Sequence, residues 1–274
     1  MRSPFAAGLA LASALALSFL VLPVVAIFVD IPPGRLLDGM NDQAAVDALL
    51  VTLKTTLIAN ALILLVGTPA AYWLAAGASR AKPFLVTAVE LPLVLPPAVA
   101  GIGLLAAFGR FGLLGGTLDF LGIEVAFTQV AVVLAVCFVA SPFYLRAAIS
   151  AFESVDPSLT GAARTLGAGP ARTFFRVALP LASGGLGAGW ALSFARGIGE
   201  FGATIMFAGS LQGVTQTLSL AVYEQFDVDF DVALSIGAEL VVVSAFLLLA
   251  VKLVPTWTRS NSPSITLSAP SGSR

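Results

Sequence analysis

Two charged residues inside an otherwise apolar run are the first candidates for chemistry. Arg196 and Glu200 stand four apart within Leu179–Ala208, which makes them neighbours on one face of a helix. Thr204 extends that face. Charged groups in a membrane-length helix face a bundle interior or a water-filled path. The pair therefore reads either as part of a gate along such a path or as an interhelical ion pair that fixes packing. Pro92, Pro96 and Pro97 lie in another apolar run, where each removes an amide donor and interrupts the i to i−4 ladder. Amides released there can contact an anion, as helix N-termini do; the other reading is a packing kink. Glu90 and Glu239 also fall in or near apolar runs, and for them a structural pairing is expected.

Much other chemistry is excluded. The chain has no His and one Cys, Cys137, so it can form neither a disulfide within one copy nor a His/Cys metal site. Ser–His and Cys–His nucleophiles are excluded for the same reason, which argues against a membrane enzyme. No G-x-x-x-x-G-K-[ST] run is present for ATP. Gly197, Gly199 and Gly202 do match G-x-G-x-x-G, but no strand precedes them and the surroundings read as apolar helix. No cofactor is expected.

The elements that must position these residues follow from composition. Hydrophobic residues make up 58% of the 274 and charged residues 11%, far from the soluble norm. A bilayer core of about 30 Å needs roughly 20 apolar residues per helical crossing. Such runs occur at Phe5–Val29, Thr55–Ala76, Phe84–Phe108, Val125–Leu145, Leu179–Ala208 and Val232–Val254. The expected fold is an all-α integral membrane bundle of about six helices. The first run is too long for a signal-peptide core and reads as a retained helix. Three parts are expected: residues 1–45 as a first helix and outer loop, 46–255 as the main transmembrane domain, and 256–274 as a disordered tail, clearest over Asn261–Arg274.

Lys and Arg in short loops stay cytoplasmic. With the N-terminus inside, ten of them fall on that side and only Arg35, Lys54 and Arg110 outside. Both termini are expected in the cytoplasm, and the outer loops are acidic, as at Asp38, Asp42, Asp119, Glu124 and Asp229. Such loops suit a solvated surface or a docking site for a soluble partner.

The longest cytoplasmic segment, Arg146 to Ala178, carries a helix start at Asp156-Pro157 and a stop at Gly167 and Gly169. Between them Leu159, Ala162, Ala163 and Leu166 share one face. Pro170 opens a second helix with Arg172 and Arg176, leading into Leu179-Pro180. A short helix of this kind suits docking into a groove on another protein, or lying on lipid or against its own bundle; periodicity does not choose.

Gly161-Ala162-Ala163, then Gly167, then Val177-Ala178-Leu179-Pro180 resembles the EAA loop of ABC importer permeases, with Gly161 where the family has Glu and Val177 where it has Ile. Leu91–Pro97, Ala162–Gly169, Phe194–Ile205 and Thr217–Tyr223 are similar to the molybdate-type permeases and their sulfate and tungstate relatives. The resemblance implies a type I importer bundle in the cytoplasmic membrane. Its loop would be a coupling helix seated on a separate ATPase dimer, which uses the ATP. It further implies a second permease copy, most simply a homodimer, and an extracytoplasmic molybdate-binding protein. Membrane lipid is the remaining partner, and no nucleic acid is implied. The alternatives are sulfate, thiosulfate or tungstate as cargo, or a stand-alone secondary anion transporter. Pro96, Pro97, Arg196, Glu200 and Thr204 would then line the translocation path or its gate.

Overall fold

A computed structural model describes residues 4–77 and 80–259; most of the expected tail, 260–274, lies outside them, as does Arg2. Thirteen α-helices follow one another, with no strand among the described residues: α1 Pro4–Val29, α2 Pro33–Met40, α3 Gln43–Ala76, α4 Lys82–Val94, α5 Pro97–Phe108, α6 Gly115–Phe120, α7 Gln129–Glu153, α8 Pro157–Thr165, α9 Pro170–Thr173, α10 Leu179–Ile198, α11 Gly202–Ala208, α12 Leu218–Phe226 and α13 Phe230–Arg259. A π-helical segment, Phe174–Ala178, joins α9 to α10. Among the described residues five helices are long and apolar enough to cross a membrane, and α4 and α5 pass the same test only together, as a pair bent by 115° at their break.

Two runs expected as single helices are broken. In the third, Leu95 is extended (φ −69°, ψ 131°) and so is Pro96 (φ −54°, ψ 135°), because a residue before proline is driven from the helical region. The chain turns there, between α4 and α5. Pro92 stays inside α4, where it removes one bond of the ladder without ending the helix, so only Pro96 and Pro97 mark the break. The fifth run stops at Ile198 and restarts at Gly202. Arg196, Glu200 and Thr204 therefore do not share one helix: Arg196 ends α10, Glu200 lies in the break, and Thr204 is on α11.

The core forms where α7 packs between α3 and α10. Ala59 and Ile63 of α3, Ala140, Tyr144 and Ala148 of α7, Ala178 of the π-helical segment and Ala182 of α10 are buried together. In lipid the drive to associate is close van der Waals contact, which small residues permit. At Gly185 an added Cβ would lie 2.5 Å from the Ala151 Cβ, and at Gly189 it would lie 2.7 Å from that of Ala147. Glycine is required at both crossings. A second cluster joins α5 and α11 to one half of α7 through Ala100, Leu104, Ala135 and Phe207. A third joins α3, α12 and α13 through Ala45, Ala48, Leu218 and Ile236.

Side chains pin the two ends. Lys82 Nζ meets Glu153 Oε1 at 2.7 Å and Arg146 Nε meets Glu90 Oε1 at 3.4 Å, so Glu90 is paired as expected. Glu239 differs: it is buried, and its Oε2 has no partner among the described residues. At the opposite end Lys54 Nζ donates to Gln129 Oε1 at 2.7 Å, and Arg35 pairs with Asp231. Helix α1 stands apart: no residue of its apolar stretch is buried.

Candidate functional site

Helix α8 is held at its ends rather than by packing. Ser158 N donates to Asp156 Oδ1 at 2.8 Å, the expected N-cap. The backbone amide and side chain of Ser158 hold the Asp156 carboxyl below its ordinary range. At the other end Gly167 takes φ +82°. Gly167 N donates to Arg164 O and Ala168 N to Ala163 O, both at 3.0 Å. These are the paired bonds of a Schellman stop, which a positive-φ glycine allows. No residue of α8 is buried.

The faces of this rod are distinct. Thr160 and Ala163 are half-buried, toward the rest of the chain, whereas Ser158, Gly161, Ala162 and Thr165 are exposed. Leu159 and Leu166 flank that exposed face, 47% and 88% accessible. A Cβ at Gly161 would meet nothing within 4 Å, so this chain leaves room there for a larger residue.

Beyond Gly167 the chain runs rigidly into the bundle. Thr173 is buried, and Phe174 packs on Tyr72, ring centroids 4.8 Å apart. Leu179 N reaches back five residues to Phe174 O. This wider register accommodates Pro180, which has no amide and whose ring would crowd the carbonyl four residues back in an α-helix. Val177 and Leu179 are half-buried and Pro180 exposed. The residues expected to act together, Gly161 to Pro180, thus lie along one path from the exposed α8 through α9 and the π-helical segment into α10.

The second candidate lies at the break between α10 and α11. Arg196 Nη2 meets Glu200 Oε2 at 2.6 Å, with side-chain exposures of 29% and 1%. The other carboxylate oxygen accepts from Ala203 N at 2.8 Å, so Glu200 caps α11 while it pairs with the end of α10. Ser219 Oγ donates to the Glu200 carbonyl at 2.8 Å, and Thr52 Oγ1 accepts from Leu218 N at 2.8 Å. Together these bonds tie α12 to the break and to α3. A Cβ on Gly202 would lie 2.6 Å from that of Pro97, so the two helix breaks are pressed together.

Beside them is a shallow hollow of about 360 Å³, open on one side and lined by Pro97, Ala98, Arg196, Gly199, Glu200, Phe201 and Gly202. The structure brings Pro97, Arg196 and Glu200 together. Pro96 is exposed beside them at the N-cap of α5. Thr204 is fully buried on α11 with its Oγ1 unpartnered, off the lining of the hollow. Ser219 lies in the Thr217–Tyr223 stretch that carries the resemblance, but no spacing or residue type there marks it as a partner of Glu200. Gly202 carried a signal as the last glycine of Gly197-x-Gly199-x-x-Gly202, a run whose purpose is a helix break. A larger cavity, about 790 Å³ and mostly apolar, lies beside α5, α6 and the start of α7, away from this ion pair.

With that geometry established, the comparisons are direct. The family of binding-protein-dependent transport system inner membrane components matches residues 67–259. The molybdenum transport system permease protein ModB of Mycobacterium tuberculosis is 42% identical over 233 residues, 85% of this chain and 88% of that protein. The probable transport system permease protein NifC of Clostridium pasteurianum is 34% identical over 85% of this chain and 82% of its own length. Among solved structures, a bacterial ABC transporter involved in the import of the acidic polysaccharide alginate matches with TM-score 0.72 at 16% identity, over 96% of this chain and 97% of that one. The MetNI methionine ABC transporter matches with TM-score 0.58 at 18% identity, over 76% of this chain and 93% of that one; at such identities these two speak for the fold. The described helices, the broken spans and the sequence similarity agree: this chain belongs to the family of binding-protein-dependent transport system inner membrane components, and it is a multi-pass membrane transport component.

Proposed function

We propose that this chain is the permease subunit of an ATP-driven importer that carries molybdate into the cytoplasm. The observation that carries the reading is the 42% identity to ModB of Mycobacterium tuberculosis across most of both chains. The mechanism follows from α8. Open on its Gly161–Ala162 face and capped at both ends, it suits insertion into a groove on a separate cytoplasmic ATPase dimer. Movement of α8 passes through Gly167, the π-helical segment and Pro180 into α10. The loss of the family's Glu at Gly161 leaves shape, with Arg164, Arg172 and Arg176 nearby, to make the fit.

In this reading both termini are cytoplasmic and two copies of the chain form the path, each facing one ATPase. The break at Pro96–Pro97 and the one at Glu200 lie along that path. Glu200 and the acidic outer loops repel free anions, so an extracytoplasmic binding protein selects and delivers the oxyanion. The test is uptake of radiolabelled molybdate by proteoliposomes holding the permease and its ATPase. Uptake is expected only with ATP and the binding protein together; equal uptake without either would reject the reading.

A further inference from the structure

Resting on that reading, we infer that the hollow at the break between α10 and α11 is a passing station for a tetrahedral oxyanion, with Arg196 as its contact and Glu200 as the latch that keeps the stay short. The hollow, about 360 Å³ and open on one side, exceeds the roughly 10–15 Å³ of such volume that one water needs, so a tetraoxo anion can reach the Arg196 guanidinium there. A guanidinium has five N–H donors in a planar fork that suits oxyanions two at a time. Arg196 spends one short contact on Glu200 and keeps part of its side chain exposed in the wall of the hollow. Ala98 contributes the wall from the first turn of the twelve-residue α5, where amides have no acceptor inside the helix.

Glu200 sets the character of the site. Its two oxygens are both engaged, by Ala203 N and by Arg196, and the side chain is 1% exposed. An arriving dianion and this carboxylate compete for one guanidinium and repel each other. When the anion wins, Glu200 remains on the Ala203 amide alone. A buried carboxylate without its cation is unstable, so the break, which runs through Gly199, is driven to rearrange. A path needs contacts that form and then release. The carboxylate supplies the release.

The test uses the assembled permease–ATPase complex, without the binding protein for equilibrium retention of radiolabelled molybdate and with it for ATP-driven uptake. Glu200→Gln keeps an acceptor for Ala203 N but frees Arg196. It is expected to retain molybdate at least tenfold more than wild type while taking it up more slowly. Arg196→Gln is expected to lose uptake at least tenfold and to retain none, with Arg196→Lys, a cation without the planar fork, in between. A Glu200→Gln complex that holds no more molybdate than wild type, or Arg196→Gln uptake at the wild-type level, would overturn the inference. If a single variant does not assemble, the double Arg196→Gln/Glu200→Gln is read instead. Wild-type uptake by it sinks the proposal, and lost uptake with ATP hydrolysis retained supports it. A wild-type complex that moves sulfate but not molybdate would remove the cargo assignment alone, and the same variants would then be judged with labelled sulfate.

Discussion

Replacing Gly167 with Ala isolates the part of α8 that the coupling depends on. Gly167 sits at φ +82°, a left-handed conformation that costs a residue with a Cβ about 1–2 kcal/mol. Nothing nearby offsets that cost, since no residue of α8 is buried and the Schellman bonds at Gly167 and Ala168 close its end. At 1.4 kcal/mol per tenfold, the correctly terminated rod loses roughly five- to thirtyfold in population relative to frayed forms. Gly161→Ala is the matched control: its site is helical and open, and alanine favours the helix by about 1 kcal/mol. The assay is molybdate taken up per ATP hydrolysed in proteoliposomes. Gly167→Ala is expected to lower that ratio several-fold, and Gly161→Ala to leave it unchanged or raise it. Wild-type coupling in Gly167→Ala, or a worse defect in Gly161→Ala, would refute the reasoning.

Gly202→Ala places a Cβ 2.6 Å from that of Pro97, an overpacking expected to cost about 1–3 kcal/mol. It should lower the melting temperature of the complex, whereas Gly103→Ala, where nothing lies within 4 Å, should not. Asp156→Ala removes the N-cap and should speed hydrogen exchange in the first turn of α8. Because the carboxyl is held below its ordinary range, the cap is fully present above about pH 4 and is lost as pH falls through the lowered value. Exchange in that turn should therefore be insensitive to the cap's titration between pH 7 and 5, once corrected for the intrinsic rate. Lys82→Ala breaks a partly exposed pair and should cost no more than about 1 kcal/mol, read as a shift of the melting temperature at low salt.

The spans were legible because a bilayer imposes both length and apolarity. The cap at Asp156 and the stop at Gly167 were legible because each depends on one residue type. The turn at Pro96–Pro97 was marked by two missing amides, although its size was not. Hydropathy did not show the break after Ile198, because Leu179–Ala208 averages apolar despite Arg196 and Glu200; its one local mark is the glycine run that ends at Gly202. That is why Thr204 was placed on the same face as Arg196, when it lies buried on another helix. Periodicity grouped Leu159, Ala162, Ala163 and Leu166, yet Ala163 is partly covered and Gly161 is open. Which side of a short amphipathic rod is covered depends on α9 and the π-helical segment, and these leave no trace in α8 itself.

If α8 rests on a nucleotide-hydrolysing neighbour, a single cysteine at Ala162 in a Cys137→Ala background will crosslink to it in native membranes. The expected result is a covalent product with a P-loop subunit, formed from the cytoplasmic side and sensitive to ATP. Labelling of that cysteine by an impermeant reagent from outside, with no such product, would contradict it.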